Sequence, residues 1–316
     1  MSIQNKTILI TGGAGFIASS LADKFLENSS NLVVLIDNFL TGEQSNIPTH
    51  KNCVFVEGDV NNLSDIQPLF STYQFDYVFH YAAVVGVKRT LENPILVLND
   101  IQGIKNILDL SYQSGVKRVF YSSSSEVYGE PVHLPQNETT TPLNSRLPYA
   151  VVKNVGESYF RSYHQKYGLN YTIFRFFNTY GPKQSEDFVM TRFIKAALSG
   201  NDITIYGDGT QTRTFCYIAD HIEATYNALA QGLFINDVVN IGNDKITSVL
   251  ELANTIVSLT QSSSSIIHLP PLEDGDMTRR QPDVVKMKQL LGREYTTLKQ
   301  GIELVLSSSR FRQEIQ

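Results

Sequence analysis

The sequence predicts an α/β protein: a doubly wound parallel sheet with a smaller C-terminal region. Two patterns carry that prediction. Short, continuously apolar runs rich in β-branched residues alternate with longer helical stretches, and a glycine loop joins the first run to the first helical stretch. A third observation, a change of rhythm after Asn178, marks where the alternation stops.

The first run is TILIT, Thr7 to Thr11. LVVLID (Leu32 to Asp37), CVFVEGD (Cys53 to Asp59), YVFHYA (Tyr77 to Ala82), RVFYSS (Arg118 to Ser123) and YTIFRF (Tyr171 to Phe176) follow. Their apolar residues do not alternate with polar ones, which suits strands covered on both faces. Pro94 to Ser114 predicts a helix closed by Gly115, and Pro148 to Tyr167 another closed by Gly168. Proline is preorganised for the first helical turn, and glycine accepts the left-handed conformation just past the last. Strand, helix, strand in repetition implies parallel pairing through right-handed crossovers. Beyond Asn178 the loops lengthen, and strand signals shorten to ITIYG (Ile203 to Gly207) and VVNIG (Val238 to Gly242). Residues 1–177 plus about 214–243 are assigned to the first domain, and 178–213 with 244–316 to the smaller region. The serine run Ser262 to Ser265 reads as a solvated loop.

The 316 residues include 42% hydrophobic and 18% charged side chains, enough for a sizeable core. A formal net charge of -5 without a basic stripe argues against nucleic acid as a partner. The two cysteines, Cys53 and Cys216, form no metal-ligand spacing, so no metal is expected and a reducing, cytoplasmic compartment is the simplest reading. MSIQNKTILITGG runs straight into strand and loop without a secretory signal, and no apolar run has the length to span a bilayer, so no membrane association is expected.

TGGAGFIASSL, Thr11 to Leu21, sits between the first strand and a helix, the context of a dinucleotide-binding (Rossmann) turn. Gly12 allows the tight turn. Gly15 lets a pyrophosphate approach the backbone at the helix N-terminus, ahead of Phe16 and Ile17, where unpaired N–H groups favour anions. Ala18 stands where a third glycine is common and still permits close helix packing. Asp37, ending the second strand, is placed to accept both ribose hydroxyls of an adenosine and to repel a 2′-phosphate. Two like charges ~4 Å apart repel by about 4 kcal/mol at an effective dielectric of about 20. No Arg or Lys follows closely to offset this, so NAD is expected over NADP. Asp59, in the GDV that also holds Val60, reads equally as an adenine contact or a turn cap.

Tyr149 and Lys153 lie four apart in YAVVK and so share one face of the helix that begins at Pro148. Phenol titrates near pH 10, and an adjacent ammonium favours the phenolate; reaching about pH 7 requires roughly 4 kcal/mol of differential stabilisation. Alone, the spacing is common and carries no chemistry. Another strand ends in SSSSEVYG, Ser122 to Gly129, a polar cluster that is costly to bury but well placed at the carboxyl end of a parallel strand, where ligands bind.

TGGAGFI, Asp37-Asn38, HYAA (His80 to Ala83, including Ala82), Asn99, SSSSEVYG, YAVVK, RFFNTYGP, YGDGTQTRTF and the late LLG appear in an order that closely resembles the extended short-chain dehydrogenase/reductase family, in its nucleotide-sugar epimerase, dehydratase and decarboxylase branch. The resemblance covers nearly the whole chain and is specific for the superfamily, less so for the reaction. It implies permanently held NAD, contacted by Asn38, Val60, Ala82 and Asn99 as well as the residues above. It also implies oxidation at sugar C4 by Tyr149 and Lys153, and a 4-keto intermediate. Counting back from Val127-Tyr128-Gly129, Ser124 matches the family hydroxyl that bridges sugar and tyrosine, with Ser123 the fallback. Arg213 matches the arginine on the diphosphate, where a guanidinium fork suits two oxygens. Asn178 matches a residue near the phosphate or sugar. The smaller region would then bind the nucleotide sugar, most often a UDP-sugar, and pairing through two helices per subunit would give a homodimer.

The branch turns on Ser125-Glu126. The deoxythymidine-type dehydratases of the family carry Asp-Glu there, decarboxylases carry Ser-Glu, GDP-mannose dehydratases also carry Ser-Glu, and simple 4-epimerases commonly have no acid. EDGDMTRRQPD, Glu273 to Asp283, resembles the decarboxylases' Arg-x-Pro-Asp segment, so that Arg280 would face a uronate carboxylate; Asp276 and Asp283 read equally as contacts to a ribose hydroxyl or as loop caps. Against decarboxylation, AVVK departs from the Asp-Glu-Gly that follows the tyrosine in those enzymes. The epimerase arginine before Gly-Asp is absent as well, with Glu273 and Asp274 there instead. UDP-glucuronate decarboxylation is preferred, with 4-epimerisation close behind and a 4-dehydrogenase or 4,6-dehydratase as further alternatives. From another class, a non-catalytic NAD-binding regulator would typically lose the Tyr, Lys or Ser, and all three are present.

Overall fold

The computed structural model describes residues 2–271 and 279–312. Its strands are β1 (Thr7–Thr11), β2 (Leu32–Asp37), β3 (Cys53–Glu57), β4 (Tyr77–His80), β5 (Arg118–Ser124), β6 (Tyr171–Phe176), β7 (Thr179–Tyr180), β8 (Ile203–Tyr206), β9 (Thr212–Thr214), β10 (Cys216–Tyr217), β11 (Asp237–Ile241), β12 (Ile246–Ser248) and β13 (Ile266–Leu269). The helices are α1 (Phe16–Leu26), α2 (Leu63–Thr72), α3 (Val87–Glu92), α4 (Pro94–Gln113), α5 (Pro148–Tyr167), α6 (Val189–Leu198), α7 (Ile218–Ala230), α8 (Val249–Thr260), α9 (Val285–Leu291), α10 (Leu298–Leu306) and α11 (Ser309–Arg312).

Seven strands form one sheet in the order β11-β6-β5-β4-β1-β2-β3, and the pairs from β3 through β6 are all parallel. Continuous apolar sequence has the expected consequence: Ile8, Leu9, Ile10, Val33, Val34, Leu35, Ile36, Val78, Phe79, Val119 and Phe120 have no exposed surface, so both faces of the sheet are covered. β1 lies between β2 and β4, so the chain winds outward in both directions and leaves a crevice beyond the carboxyl ends of β1 and β4. Helices α4 and α5 begin at the expected prolines. Gly115 (φ 71°) and Gly168 (φ 72°) take the left-handed conformations that end them.

Two strands stop short of the segments that predict them. After β4, the N–H groups of Tyr81 and Ala82 leave the ladder and donate to Thr11 Oγ1, each at 3.0 Å. After β3, Asp59 folds back on itself, its Oδ1 accepting from Asn61 N at 2.8 Å.

The chain divides into two compact units, Met1–Gly129 with Leu143–Phe176 and Ile222–Val239, and Glu130–Pro142 with Phe177–His221 and Asn240–Gln316. The second unit therefore takes in 130–142, 214–221 and 240–243, stretches the sequence reading grouped with the first. Segment 130–142 is stitched to its own unit through Gln136: its N–H donates to Gln281 O at 2.7 Å, and its carbonyl accepts from Asp283 N and Asn240 Nδ2, both at 2.8 Å. Within the second unit, β10 and β8 pair in parallel with β7 and β13, and β12 runs antiparallel to β9.

Candidate active site

The glycine loop leaves β1 at the sheet's switch point. Gly12 has φ 69°, and a Cβ there would lie 2.9 Å from Ala82 N, so the close approach of the β1 and β4 ends requires glycine. Gly15 N donates to Gly12 O at 2.9 Å, and Gly15 precedes α1 without any side-chain cap, leaving the N–H groups above Phe16 and Ile17 for a ligand. Thr11 Oγ1 also meets the Nδ1 of His80 at 2.9 Å. Because Thr11 Oγ1 already accepts two N–H groups, its proton points to Nδ1, and His80 is neutral; burial pushes it down to about 3.

Asp37 ends β2 almost out of solvent. Its Oδ2 accepts from Ala14 N at 3.0 Å and its Oδ1 from Phe39 N at 2.8 Å, so the carboxylate holds the glycine loop from below. Desolvation raises its pKa, against the backbone hydrogen bonds. Asn38 Nδ2 donates to Asp59 Oδ2 at 3.1 Å, Val60 is buried, and Asn99 is an exposed residue of α4. Glycines that a Cβ would block and a buried acid at the end of the second strand fit a dinucleotide.

Tyr149 and Lys153 open α5. Lys153 is 3% exposed; its Nζ donates to Ser122 O at 2.6 Å and lies 5.7 Å from the centroid of the Tyr149 ring. Burial lowers the lysine to about 8, while the Asp100 carboxylate on α4 opposes the shift. The SSSS cluster divides its labour. Ser122 contacts the lysine, and Ser123 Oγ donates to Glu157 Oε1 at 2.7 Å. Ser124, the last residue of β5, accepts from Glu126 N at 3.1 Å and keeps its own proton to donate. Ser125 is buried and Glu126 half-buried, both in the short 3-10 turn Ser125–Tyr128. Sequence reasoning singled out neither Asp100 nor Glu157, because acids in a helical pattern ordinarily read as a solvated face.

In the second unit, Arg213 on β9 is buried, its Nη1 donating to Thr212 O at 2.8 Å. A parallel bridge between Thr212 and Arg279 sets the segment carrying Arg280 beside the one carrying Arg213. Asn178 Nδ2 is buried with no hydrogen-bond partner among the described residues. Asp283 Oδ2 accepts from Asn137 Nδ2 at 3.0 Å, and Glu273, Asp274 and Asp276 lie outside the described residues.

A glycine-loop dinucleotide site on a parallel sheet, with a tyrosine and a buried lysine one turn apart, defines an NAD-dependent enzyme of the short-chain dehydrogenase/reductase type. The chain belongs to the NAD dependent epimerase/dehydratase family, whose sequence profile matches residues 8–242. It is 36% identical over 305 residues to a UDP-N-acetyl-alpha-D-glucosaminuronate decarboxylase of Bacillus cytotoxicus, covering 90% of this chain and 91% of that protein. It is 37% identical over 305 residues to a putative UDP-glucose 4-epimerase of Methanocaldococcus jannaschii, covering 95% and 97%. The fold is similar to the crystal structure of the UDP-glucose 4-epimerase of Thermotoga maritima with UDP-glucose, with a TM-score of 0.90 at 32% identity, covering 98% of this chain and all of that one.

Proposed function

We propose that the protein oxidises C4 of a UDP-sugar and uses the resulting ketone to decarboxylate a UDP-hexuronate such as UDP-glucuronate. The observation that carries the oxidation is Lys153: a desolvated ammonium, lowered to about 8 and one helical turn from Tyr149, is the group that favours a phenolate there. Tyr149 takes the proton of the C4 hydroxyl, and Ser124, at the end of β5 with a proton to donate, bridges sugar and phenol. NAD, which the glycine loop and Asp37 would hold, would supply reversible hydride acceptance at C4, so that no outside oxidant would be consumed. With C4 a ketone, the C5–C6 bond breaks towards carbon dioxide and its electron pair passes to the C4 oxygen as an enolate. Glu126, two residues from Ser124, passes to C5 a proton taken up from solvent, in place of the carbon dioxide lost. Arg213 grips the diphosphate and Arg280 the uronate carboxylate, and Asn178 offers its unpartnered amide to the phosphate or sugar.

Epimerisation at C4 is the second reading. It needs only Tyr149, Lys153 and Ser124, and two of the three similar proteins described above are named as 4-epimerases. Incubating the NAD-loaded protein with UDP-glucuronate, UDP-N-acetylglucosaminuronate and UDP-glucose, with mass and NMR readout, separates the two. Loss of carbon dioxide from a uronate supports decarboxylation; unchanged mass with new ring couplings supports epimerisation and removes the preferred reading. Tyr149→Phe is expected to lower turnover by at least about 100-fold, the scale of a lost general base. Full turnover in that variant would remove Tyr149 from the chemistry.

We further propose that the active form is a cytoplasmic homodimer paired through α4 and α5. No helix among the described residues is long and apolar enough to cross a membrane. Ile95 and Leu98, one turn apart on α4, are 70% and 39% exposed, and Val151 on α5 is 39% exposed, an apolar surface that calls for cover.

A further inference from the structure

Tyr149, Lys153 and Glu157 are spaced four apart and make one stripe along α5. The first two have a part in the proposed chemistry; Glu157 has none, yet it has no exposed surface. A carboxylate is costly to bury unless it is paired and its oxygens are filled. Here they are filled. Arg175 of β6 donates from Nε to Oε1 and from Nη2 to Oε2, both at 2.8 Å. Arg161 Nη2 adds a third contact at 2.8 Å, and Ser123 Oγ a fourth at 2.7 Å. The remaining arm of Arg175, Nη1, donates to the hydroxyl of Tyr128 at 2.8 Å.

The two tethered residues are significant. Ser123 and Tyr128 bracket the segment from Ser124 to Val127, which carries both Ser124 and Glu126. Ser123 is also the β5 residue in register with Arg175 of β6. A buried ion pair is no better for stability than well-packed apolar residues of the same volume. What this one adds is geometry, because a bidentate guanidinium–carboxylate contact tolerates little displacement. We infer that the Glu157–Arg175 pair is a positioning device: it clamps both ends of the Ser124-to-Val127 segment to the helix stripe that carries Tyr149 and Lys153, and so sets where the hydroxyl and acid meet the phenol. This rests on the roles proposed above for Tyr149 and Ser124.

Glu157→Gln would leave Arg175 buried without its counter-charge and is a test of folding first. The cleaner variants cut the tethers and leave the ion pair whole: Ser123→Ala, Tyr128→Phe and the two combined, in the full-length, NAD-loaded protein, assayed on UDP-glucuronate and UDP-glucose. Each single variant is expected to lower kcat about tenfold and the double variant towards 100-fold, the scale of an ångström of misplacement. KM, NAD content and the melting temperature should remain close to the parent values, and Ser123→Thr, which restores the hydroxyl, should recover most of the rate. A double variant with parental kcat overturns the proposal, as does one whose loss tracks only the melting temperature. The two readings fail separately: an active Tyr149→Phe defeats the proposed chemistry, whereas an inactive Tyr149→Phe beside an unimpaired double variant defeats only the clamp.

Discussion

Lys153 is almost wholly out of solvent, and the elements packed on it decide its charge. Ser122 O accepts from its ammonium, the Tyr121 ring lies 5.0 Å away and Asp100 on α4 supplies the opposing charge. Burial pushes the Tyr121 hydroxyl well above its ordinary range and His80 down to about 3, so neither titrates near neutrality. An activity that needs the ammonium should therefore decline above about pH 8. The carboxylate of Asp100 favours that ammonium, and Asp100 Oδ2 also accepts from Val84 N at 2.8 Å, a bond an amide oxygen can replace. Asp100→Asn is expected to move the alkaline limb of kcat/KM to lower pH, measured as a pH–rate profile; a limb that stays in place would separate Asp100 from the lysine. The sign of the stability effect distinguishes this loss from unfolding. Lys153 titrates lower in the folded chain than at its ordinary 10.5, so between about 8 and 10.5 the unfolded chain holds more protons and this residue's contribution to stability rises with pH. The Tyr149–Lys153 spacing was legible in the sequence. Asp100 and Glu157 were not, because nothing local separates a buried helical acid from a solvated one.

α5 brings the candidate groups to β5, and one glycine decides how closely. A Cβ on Gly156 would lie 2.2 Å from the Tyr121 hydroxyl and 2.5 Å from its Cζ. The ring has nowhere to go: it stacks on Phe160 at 4.8 Å and faces His80 at 5.9 Å. Gly156→Ala should therefore cost about 1–3 kcal/mol by overpacking, seen in denaturant unfolding. Because the helix must move away from the strand that supplies Ser122 O, turnover should fall with it; a variant as stable as the parent would show that α5 has room to spare. The ends of α4 and α5 were readable from proline before and glycine after, since both act through their own backbone. The ends of β3 and β4 were not. The β4 run continues through Tyr81 and Ala82, but Thr11 Oγ1, 70 residues from Tyr81, draws their N–H groups out of the ladder, and after β3 the chain turns at Asp59, which accepts from Asn61 N.

At the scale of the whole molecule, the exposed apolar residues of α4 and α5 carry the expectation of a dimer. Tyr112 and Tyr167 stack at 4.5 Å yet remain 46% and 38% exposed, continuing the apolar surface towards the far ends of both helices. Sedimentation should give twice the chain mass, and Ile95→Glu with Leu98→Glu should reduce it to the monomer; a parent that sediments as a monomer removes this interface. The division of the chain was legible only in outline. A change of rhythm after Asn178 is visible in the loops, but the capture of 130–142 by the second unit depends on Gln136 meeting Asn240, Gln281 and Asp283, more than 100 residues on. By itself the sequence determined the dinucleotide turn and the tyrosine–lysine stripe, because each is written in residues within a turn or two of one another, and the parallel sheet, because apolar runs and helical stretches alternate along the chain. Only the tertiary structure decided that Ser123 is tied to Glu157 while Ser124 accepts from Glu126 N, which acids are buried and how the chain is shared between units, because burial and long-range pairing depend on what the rest of the chain brings alongside.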